Sequence, residues 1–192
     1  MRLFAAIDVP DEIKEALAAF QKRLRSTAKL SWSPVANLHI TTKFIGEWPE
    51  ARLEEMTRAL AGVPVAGPIE IAVKGIGWFP NPRKPRVFWA GVDGGEPLRV
   101  LARATDQATA VLGVAGEERP YSPHLTLARI REAAPGENVS PGEAVSLDAL
   151  HHALRTLPAG CGFDFGAFRA SRFFLYLSAG GKHTQLAGFP LE

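Results

Sequence analysis

The sequence has a single cysteine, Cys161, among 192 residues. One cysteine can form neither an intramolecular disulfide nor a cysteine-based metal cluster, so the chain suits a reducing compartment. Long apolar runs are also missing, because no stretch approaches the roughly 18 to 20 apolar residues of a membrane span. The short apolar run at the N-terminus is interrupted by Asp8 and lacks the length of a signal peptide. The sequence therefore predicts a cytoplasmic protein without a membrane segment.

Strong charge of either sign is absent as well. The formal net charge is +2, with 22% charged and 46% hydrophobic residues, a composition typical of a folded domain and not of a disordered chain. So weak a basic balance is compatible with an anionic substrate but not with a protein that coats nucleic acid. The length suits one domain or two tightly fused lobes, and no low-complexity tract or flexible linker divides the chain.

Apolar spacing and turn residues predict an α+β protein. Strand, helix, strand, helix and paired strands occur twice along the chain, which predicts two pseudo-symmetric lobes with the active cleft between them. Each lobe should hold a mostly antiparallel sheet with helices on its outer face. The predicted helices cover residues 11–25, 49–61, 96–112 and 141–157. The predicted strands cover residues 3–9, 38–45, 69–78, 86–92, 123–129, 163–178 (with a bend near Gly166) and 183–190, and residues 132–142 form an exposed loop.

Two of these strands carry the functional signal, because they repeat one His-x-Thr pattern: residues 38–44 read LHITTKF and residues 123–129 read PHLTLAR. Side chains two apart on a strand point to the same face, so each histidine shares a face with its threonine. The two copies lie roughly half the chain apart, which favours one copy in each lobe and both in the cleft between them. The alternative is two buried strand histidines that are each satisfied by a neighbouring hydroxyl or carbonyl.

Two histidines that face one cleft suit the cleavage of a phosphodiester. One neutral imidazole can take a proton from the attacking oxygen while an imidazolium gives a proton to the leaving oxygen, since the ordinary histidine pKa of about 6.5 makes both forms accessible. The threonine hydroxyls can hold nonbridging phosphate oxygens. Neither motif has the spacing of a helical zinc site or a carboxylate to complete one, so we expect no metal and no cofactor. A serine or cysteine nucleophile is also unsupported.

The chain resembles the two-histidine (2H) phosphoesterases, and among them the bacterial and archaeal RNA 2′,3′-cyclic phosphodiesterases, which are also described as 2′-5′ RNA ligase-like proteins. The resemblance rests on residues 2–8 (RLFAAID), 38–46 (LHITTKFIG), 85–92 (PRVFWAGV), 123–129 (PHLTLAR) and 189–191 (FPL). It covers almost the whole chain, and we expect a single domain over residues 1–192 with two interleaved lobes, one His-x-Thr motif in each. We also expect a monomer.

Carried over position by position, the resemblance implies His39 as proton donor and His124 as proton acceptor, with Thr41 and Thr126 binding phosphate. The implied reaction opens a 2′,3′-cyclic phosphate at an RNA end, or on a small cyclic nucleotide, to leave a 2′-phosphate. Two alternatives remain open. The same site could join RNA ends by 2′-5′ ligation, with a ribose 5′-hydroxyl in place of water, or it could bind RNA ends without turnover.

Three further residues are candidates for substrate binding. Phe44 and Arg129 each lie five residues after a motif histidine, and the resemblance places such positions near the nucleotide. Strict alternation would turn both away from the histidines, so a β-bulge or a strand end is required. Lys43 shares the histidine face by parity and could bind phosphate. The alternatives are a core aromatic for Phe44 and a solvated strand-end lysine for Lys43.

The remaining histidines and a basic loop are weaker candidates. Residues 81–86 combine cations with prolines near two aromatics, which suits either an RNA-backbone contact or a solvated loop. His151 and His152 are expected on a helix surface. His183 stands where relatives often have tyrosine, which bears on substrate selectivity.

Overall fold

The computed structural model describes residues 1–28, 30–130, 147–157 and 163–191. Its helices are α1 (Asp11–Leu24), α2 (Leu53–Ala61), α3 (Gly95–Ala110) and α4 (Asp148–Thr156), with short 3-10 helices at Val35–Asn37 and Glu50–Arg52. Its strands are β1 (Arg2–Asp8), β2 (Ser31–Trp32), β3 (His39–Glu47), β4 (Ile69–Phe79), β5 (Val87–Asp93), β6 (His124–Arg129), β7 (Asp164–Ala170), β8 (Arg172–Ala179) and β9 (Lys182–Pro190).

The strands form two antiparallel sheets, and the predicted α+β class is confirmed. The first sheet has the order β3-β1-β8-β9 and the second the order β2-β6-β5-β4-β7. The motif strands β3 and β6 thus belong to different sheets, as the sequence predicts. In the first sheet the motif strand β3 lies at the edge and pairs with β1. In the second sheet the motif strand β6 pairs with β5 on one side and with the short β2 on the other.

The two sheets interleave along the chain, so the repeated order of elements does not give one sheet to each half of the sequence. The first sheet combines β1 and β3 from the N-terminal part with β8 and β9 from the C-terminus, while β7 joins the second sheet beside β4. Residues 163–178 were expected to bend near Gly166. Gly166 instead lies at a register shift inside β7, and the chain changes sheets at Ser171, between β7 and β8. Strand patterns do not specify pairing partners, so only the tertiary fold reveals this interleaving.

The helices bury the apolar stripes that their spacing predicts. α1 buries Ile13, Leu17, Phe20 and Leu24, and one continuous hydrophobic cluster joins these side chains to apolar residues from strands of both sheets. α4 begins at Asp148, and residues 132–146, which include the predicted loop and the first part of the predicted fourth helix, lie outside the described residues. None of the helices in the described part of the chain is long and apolar enough to cross a membrane.

Two glycines form the turn of the C-terminal hairpin between β8 and β9. Gly180 and Gly181 have φ angles of 56° and 77°, which glycine adopts without the steric cost of a side chain. The hairpin is tied to the motif strand region, because Asn37 donates a hydrogen bond to the Gly181 carbonyl at 2.7 Å.

Lys43 is an interior side chain of this fold. It is 2% exposed, and its Nζ donates to Asp106 Oδ1 at 2.6 Å and to the Ala115 carbonyl at 2.6 Å, with Glu117 Oε1 at 3.4 Å. A buried ammonium is tolerated because these acceptors surround it. The cation therefore joins the motif strand β3 to α3 and to the segment that follows α3.

We expect Lys43→Met to lower the free energy of unfolding by about 2 to 4 kcal/mol, since it removes the cation from the Asp106 carboxylate and the Nζ donor from the Ala115 carbonyl. Urea denaturation measures the change. The matched control is Arg58→Met, which breaks the exposed Arg58–Glu54 ion pair at 2.8 Å and should cost less than about 0.5 kcal/mol. Equal effects of the two substitutions would contradict a stabilising role for Lys43.

Candidate active site

A β-bulge at the same place in both motif strands shapes the site. In the pairing of β3 with β1, Thr41 lies opposite Ala6 and Lys43 opposite Ala5, so that Thr42 is left without a cross-strand partner. In the pairing of β6 with β5, Thr126 lies opposite Trp89 and Ala128 opposite Phe88, which leaves Leu127 as the extra residue. Each bulge falls three residues after the motif histidine. Alternation is therefore reset at the same point in both strands.

Because each bulge shifts the side-chain alternation by one residue, the fifth residue after each histidine points to the same side of the sheet as the histidine. A cleft of about 670 Å³ lies between the sheets, and both motif strands line it. Phe44 lies in this lining and is 56% exposed, and Arg129 takes the equivalent place on the other side. The motif residues that line the cleft are His39, Thr41, Phe44, His124, Thr126 and Arg129.

The expectation that Lys43 shares the histidine face is wrong, for the same reason. With Thr42 as the extra residue, Thr42 and Lys43 are both buried, and Lys43 turns to Asp106 in the interior. Counting alternate residues predicts the face of a side chain only while the strand alternates regularly. The bulge at Thr42 interrupts the alternation just before Lys43. The basic loop is also apart from this site: Arg83 and Lys84 are exposed and do not line the cleft.

Each motif histidine is oriented by a backbone carbonyl two residues before it. His39 Nδ1 lies 2.7 Å from the Asn37 carbonyl, and His124 Nδ1 lies 2.8 Å from the Ser122 carbonyl. A carbonyl can only accept, so Nδ1 carries the hydrogen and donates it. In the neutral imidazole Nε2 is then the basic nitrogen. The same contact in both halves leaves Nε2 of each ring available for proton transfer.

His39 is surrounded by aromatic rings. Phe4 lies 4.5 Å from its ring centroid and His183 lies 4.9 Å away in an edge arrangement, while Tyr176 stacks on Phe4 at 5.1 Å. Burial lowers the pKa of His39 from 6.5 to about 4; the Asn37 carbonyl and Asp8 act against this, and His183 and His124 add to it. Without substrate, His39 is therefore a neutral imidazole at pH 7.

His124 has a different set of neighbours. The ring of Phe79 meets it edge-on at 4.9 Å, and Trp89 lies 6.5 Å away. Burial lowers the pKa of His124, the Ser122 carbonyl opposes the shift, and the Arg129 cation adds to it. Close packing supports this wall, because a side chain at Gly77 would overlap the Trp89 ring. A nearby cation and an apolar surface both favour the neutral imidazole that a general base requires.

Sequence reasoning missed a direct link between the two motif strands. The hydroxyl of Tyr121, just before β6, donates to the Thr41 carbonyl of β3 at 2.9 Å. Burial raises the pKa of Tyr121, so this hydroxyl stays protonated and remains a donor. An aromatic residue three positions before a motif histidine is too common a signal to be singled out. Its effect is to hold the strands that carry His39 and His124 side by side.

Comparison with known proteins identifies the fold and the family together. Residues 7–89 match the LigT-like phosphoesterase family. The RNA 2′,3′-cyclic phosphodiesterase of Methanocaldococcus jannaschii is 38% identical over 131 residues, which cover 68% of this chain and 72% of that protein. The chain belongs to the LigT-like phosphoesterase family. The protein of the same name from Archaeoglobus fulgidus is 36% identical over 70% of this chain and 76% of its own length.

Solved structures of LigT-like proteins agree over the whole chain. A crystal structure of a Thermus thermophilus protein superposes with a TM-score of 0.73 at 28% identity and covers 100% of this chain and 98% of that one. Escherichia coli LigT complexed with 3′-AMP gives a TM-score of 0.70 at 26% identity, over 99% of this chain and 97% of that one.

The LigT-like cleft presents the two motif imidazoles, the two motif threonine hydroxyls and the guanidinium groups of Arg2 and Arg129, which are groups suited to acid–base chemistry on an anion. Among the described residues, no group of three or more histidine, cysteine, aspartate or glutamate side chains is arranged to hold a metal ion. His183 also lines the cleft, whereas the ring of His151 packs on Trp78 and His152 is exposed.

The lowered pKa of His39 makes a prediction about stability. The unfolded chain binds a proton at this histidine near pH 6.5 while the folded protein resists it until about pH 4, so the unfolded state binds more protons between these values. Stability should therefore fall as the pH falls through this window, by about 3 kcal/mol from this group between pH 7 and pH 4.

Denaturation of the wild type and of His39→Gln at several pH values measures this contribution, because the other titrating groups are common to both proteins. The loss of stability toward pH 4 should be smaller in the variant. Parallel curves for the two proteins would show that burial does not depress the pKa of His39.

Proposed function

We propose that this protein hydrolyses 2′,3′-cyclic phosphates at RNA ends to 2′-phosphates, without a metal ion, by acid–base catalysis between His39 and His124. The observation that carries the proposal is the matched pair of imidazoles in one cleft, each with Nδ1 bound to a carbonyl and Nε2 free. The relatives named RNA 2′,3′-cyclic phosphodiesterase support the substrate class. We also propose that the protein acts in the cytoplasm as a single-domain monomer; the monomer is supported by the fact that the groups required for both proton transfers come from one chain.

In the proposed reaction His124 Nε2 takes a proton from water, and the water oxygen bonds to phosphorus. The bond from phosphorus to O3′ breaks as His39 gives its proton to O3′, which leaves a 3′-hydroxyl and a 2′-phosphate. The donor must first be an imidazolium, although burial in the protein alone favours the neutral ring. The substrate supplies the compensating charge, because a phosphate anion beside a desolvated imidazole strongly favours its protonated form.

The other cleft residues have roles that follow from their chemistry. Thr41 and Thr126 share the faces of the two histidines and can donate their hydroxyls to the two nonbridging oxygens. The Arg129 guanidinium adds positive charge beside the phosphate. Phe44 offers an exposed ring at the rim, where a nucleobase can stack. Lys43 has no part in this mechanism.

Replacement of either histidine by alanine should reduce hydrolysis by about 10²- to 10⁴-fold, since each variant loses one of the two proton transfers. The assay uses an RNA oligonucleotide with a 2′,3′-cyclic phosphate end and identifies the product as a 2′- or 3′-phosphate. His152→Ala, on an exposed helical position, is the matched control and should retain the wild-type rate.

The same assay tests the absence of a metal and the direction of the reaction. Activity should persist after treatment with EDTA, and loss that added divalent cation restores would overturn the metal-independent mechanism. Full activity of both alanine variants would overturn the assignment of the two histidines. Joined RNA in place of hydrolysed ends, when a 5′-hydroxyl RNA is present, would favour 2′-5′ ligation.

Arg129 and Phe44 should affect different kinetic constants. We expect Arg129→Met to lower kcat/KM by about 10- to 100-fold, since it removes a charged donor from the phosphate.

We expect Phe44→Ala to raise KM by about 5- to 100-fold with little change in kcat, because stacking stabilises bound substrate and transition state alike. Steady-state kinetics measures both. Val111→Ala, at an exposed apolar position outside the cleft lining, is the control, and an unchanged KM for Phe44→Ala would contradict base stacking.

A further inference from the structure

The two halves of the site differ at the position directly across the strand pair from each histidine. Along both motif strands the pairings correspond, with Thr41 opposite Ala6 and Thr126 opposite Trp89. At the histidines themselves, Asp8 of β1 lies opposite His39, whereas Gly91 of β5 lies opposite His124. Directly opposite residues on antiparallel strands have Cβ atoms about 5 Å apart and face the same side of the sheet. Only His39 therefore has a carboxylate as its cross-strand neighbour.

We propose that Asp8 is a positioning residue that stabilises positive charge on His39 and thereby makes His39, and not His124, the proton donor. The proposal rests on the proposed function, which requires one histidine to begin protonated. A near-symmetric pair of imidazoles could run the reaction in either direction. A carboxylate beside one ring and a guanidinium beside the other remove that symmetry.

The contacts of Asp8 hold its carboxylate at the end of β1. Oδ1 accepts from the Val9 amide at 2.8 Å and pairs with Lys14 Nζ of α1 at 3.0 Å, and Oδ2 lies 3.4 Å from Gln185 Nε2. Gln185 in turn donates to the Tyr176 hydroxyl at 2.8 Å, inside the aromatic wall around His39. The carboxylate is thus built into the same wall as the histidine. Lys14 offsets part of its charge.

The side chains that neighbour His39 on the surrounding strands have opposing effects on its pKa. His183 from β9 and His124 from β6 disfavour an imidazolium by like-charge repulsion, and Asp8 from β1 favours it. Tyr176 from β8 is neutral near pH 7, because burial raises its pKa to about 12. At His124 the charged neighbour is Arg129, which also opposes a proton. Asp8 is the one of these neighbours that favours an imidazolium, and it acts on His39.

The test compares two substitutions that break the same ion pair but change opposite charges. Asp8→Asn keeps the shape and the acceptor for Val9 but removes the negative charge, so the His39 titration midpoint should move to lower pH by about half a unit to one unit. Lys14→Gln leaves the carboxylate without its cation, so the midpoint should move to higher pH. Histidine NMR titrations measure both directly, with His39→Gln to assign the resonance.

The kinetic readout is the basic limb of kcat against pH, which reports the pKa of the donor in the substrate complex. It should move in the same opposite directions in the two variants on the cyclic-phosphate RNA. Glu12→Gln removes a carboxylate from an exposed position of α1 and should move neither profile. Thermal melts confirm that each variant is folded.

A purely structural role for the Asp8–Lys14 pair would make the two variants behave alike, so shifts of the same sign in both, or no shift in either, would overturn the proposal. The NMR titration does not depend on turnover. If the wild type fails to hydrolyse the RNA while the opposite midpoint shifts are found, the proposed substrate is wrong and the electrostatic role of Asp8 stands.

Discussion

The one-residue bulge three positions after each histidine is the constraint on which the site depends. A regular strand would send every second side chain into the core and would bury the fifth residue after the histidine on the wrong side. The bulge lets two successive residues, such as Thr42 and Lys43, turn inward, and it brings Phe44 and Arg129 back to the cleft. The interior lysine and the rim aromatic are thus two consequences of one irregularity.

Burial of the two histidines has two opposing effects: it fixes the orientation of the rings, and it disfavours their protonated form. Aromatic packing around His39 and His124 partly buries and fixes the rings, yet this burial lowers the pKa of both. Desolvation outweighs the charges of the neighbouring side chains, since it has the largest effect on the pKa of each ring. In the proposed mechanism an anionic substrate reverses this balance at His39, because the apolar surroundings strengthen the attraction between the anion and a protonated ring. Protonation of the site is therefore coupled to occupation of the site.

The two motif strands and their partner strands are nearly symmetric. The proposed acid–base chemistry requires the two histidines to have different surroundings. Matching bulges, matching carbonyl contacts at Nδ1 and matching threonines arise from equivalent strands in the two sheets. Two pairs of equivalent positions differ between the sheets: Asp8 in one corresponds to Gly91 in the other, and Phe44 corresponds to Arg129. They differ in charge, and so they distinguish two imidazoles that the backbone treats alike.

The sequence by itself determined the helices, the motif strands and their histidines and threonines, because alternation and helical spacing are local properties of the chain. It also showed that Phe44 and Arg129 require a bulge to reach the cleft. Parity misplaced Lys43, since nothing local reveals where alternation breaks. Only the tertiary structure decided that β7 and β8 enter different sheets, that Tyr121 links the motif strands and that Asp8 lies opposite His39. Those facts depend on contacts between residues distant in the chain, and strand pairing is set by packing of the whole core and not by any one segment.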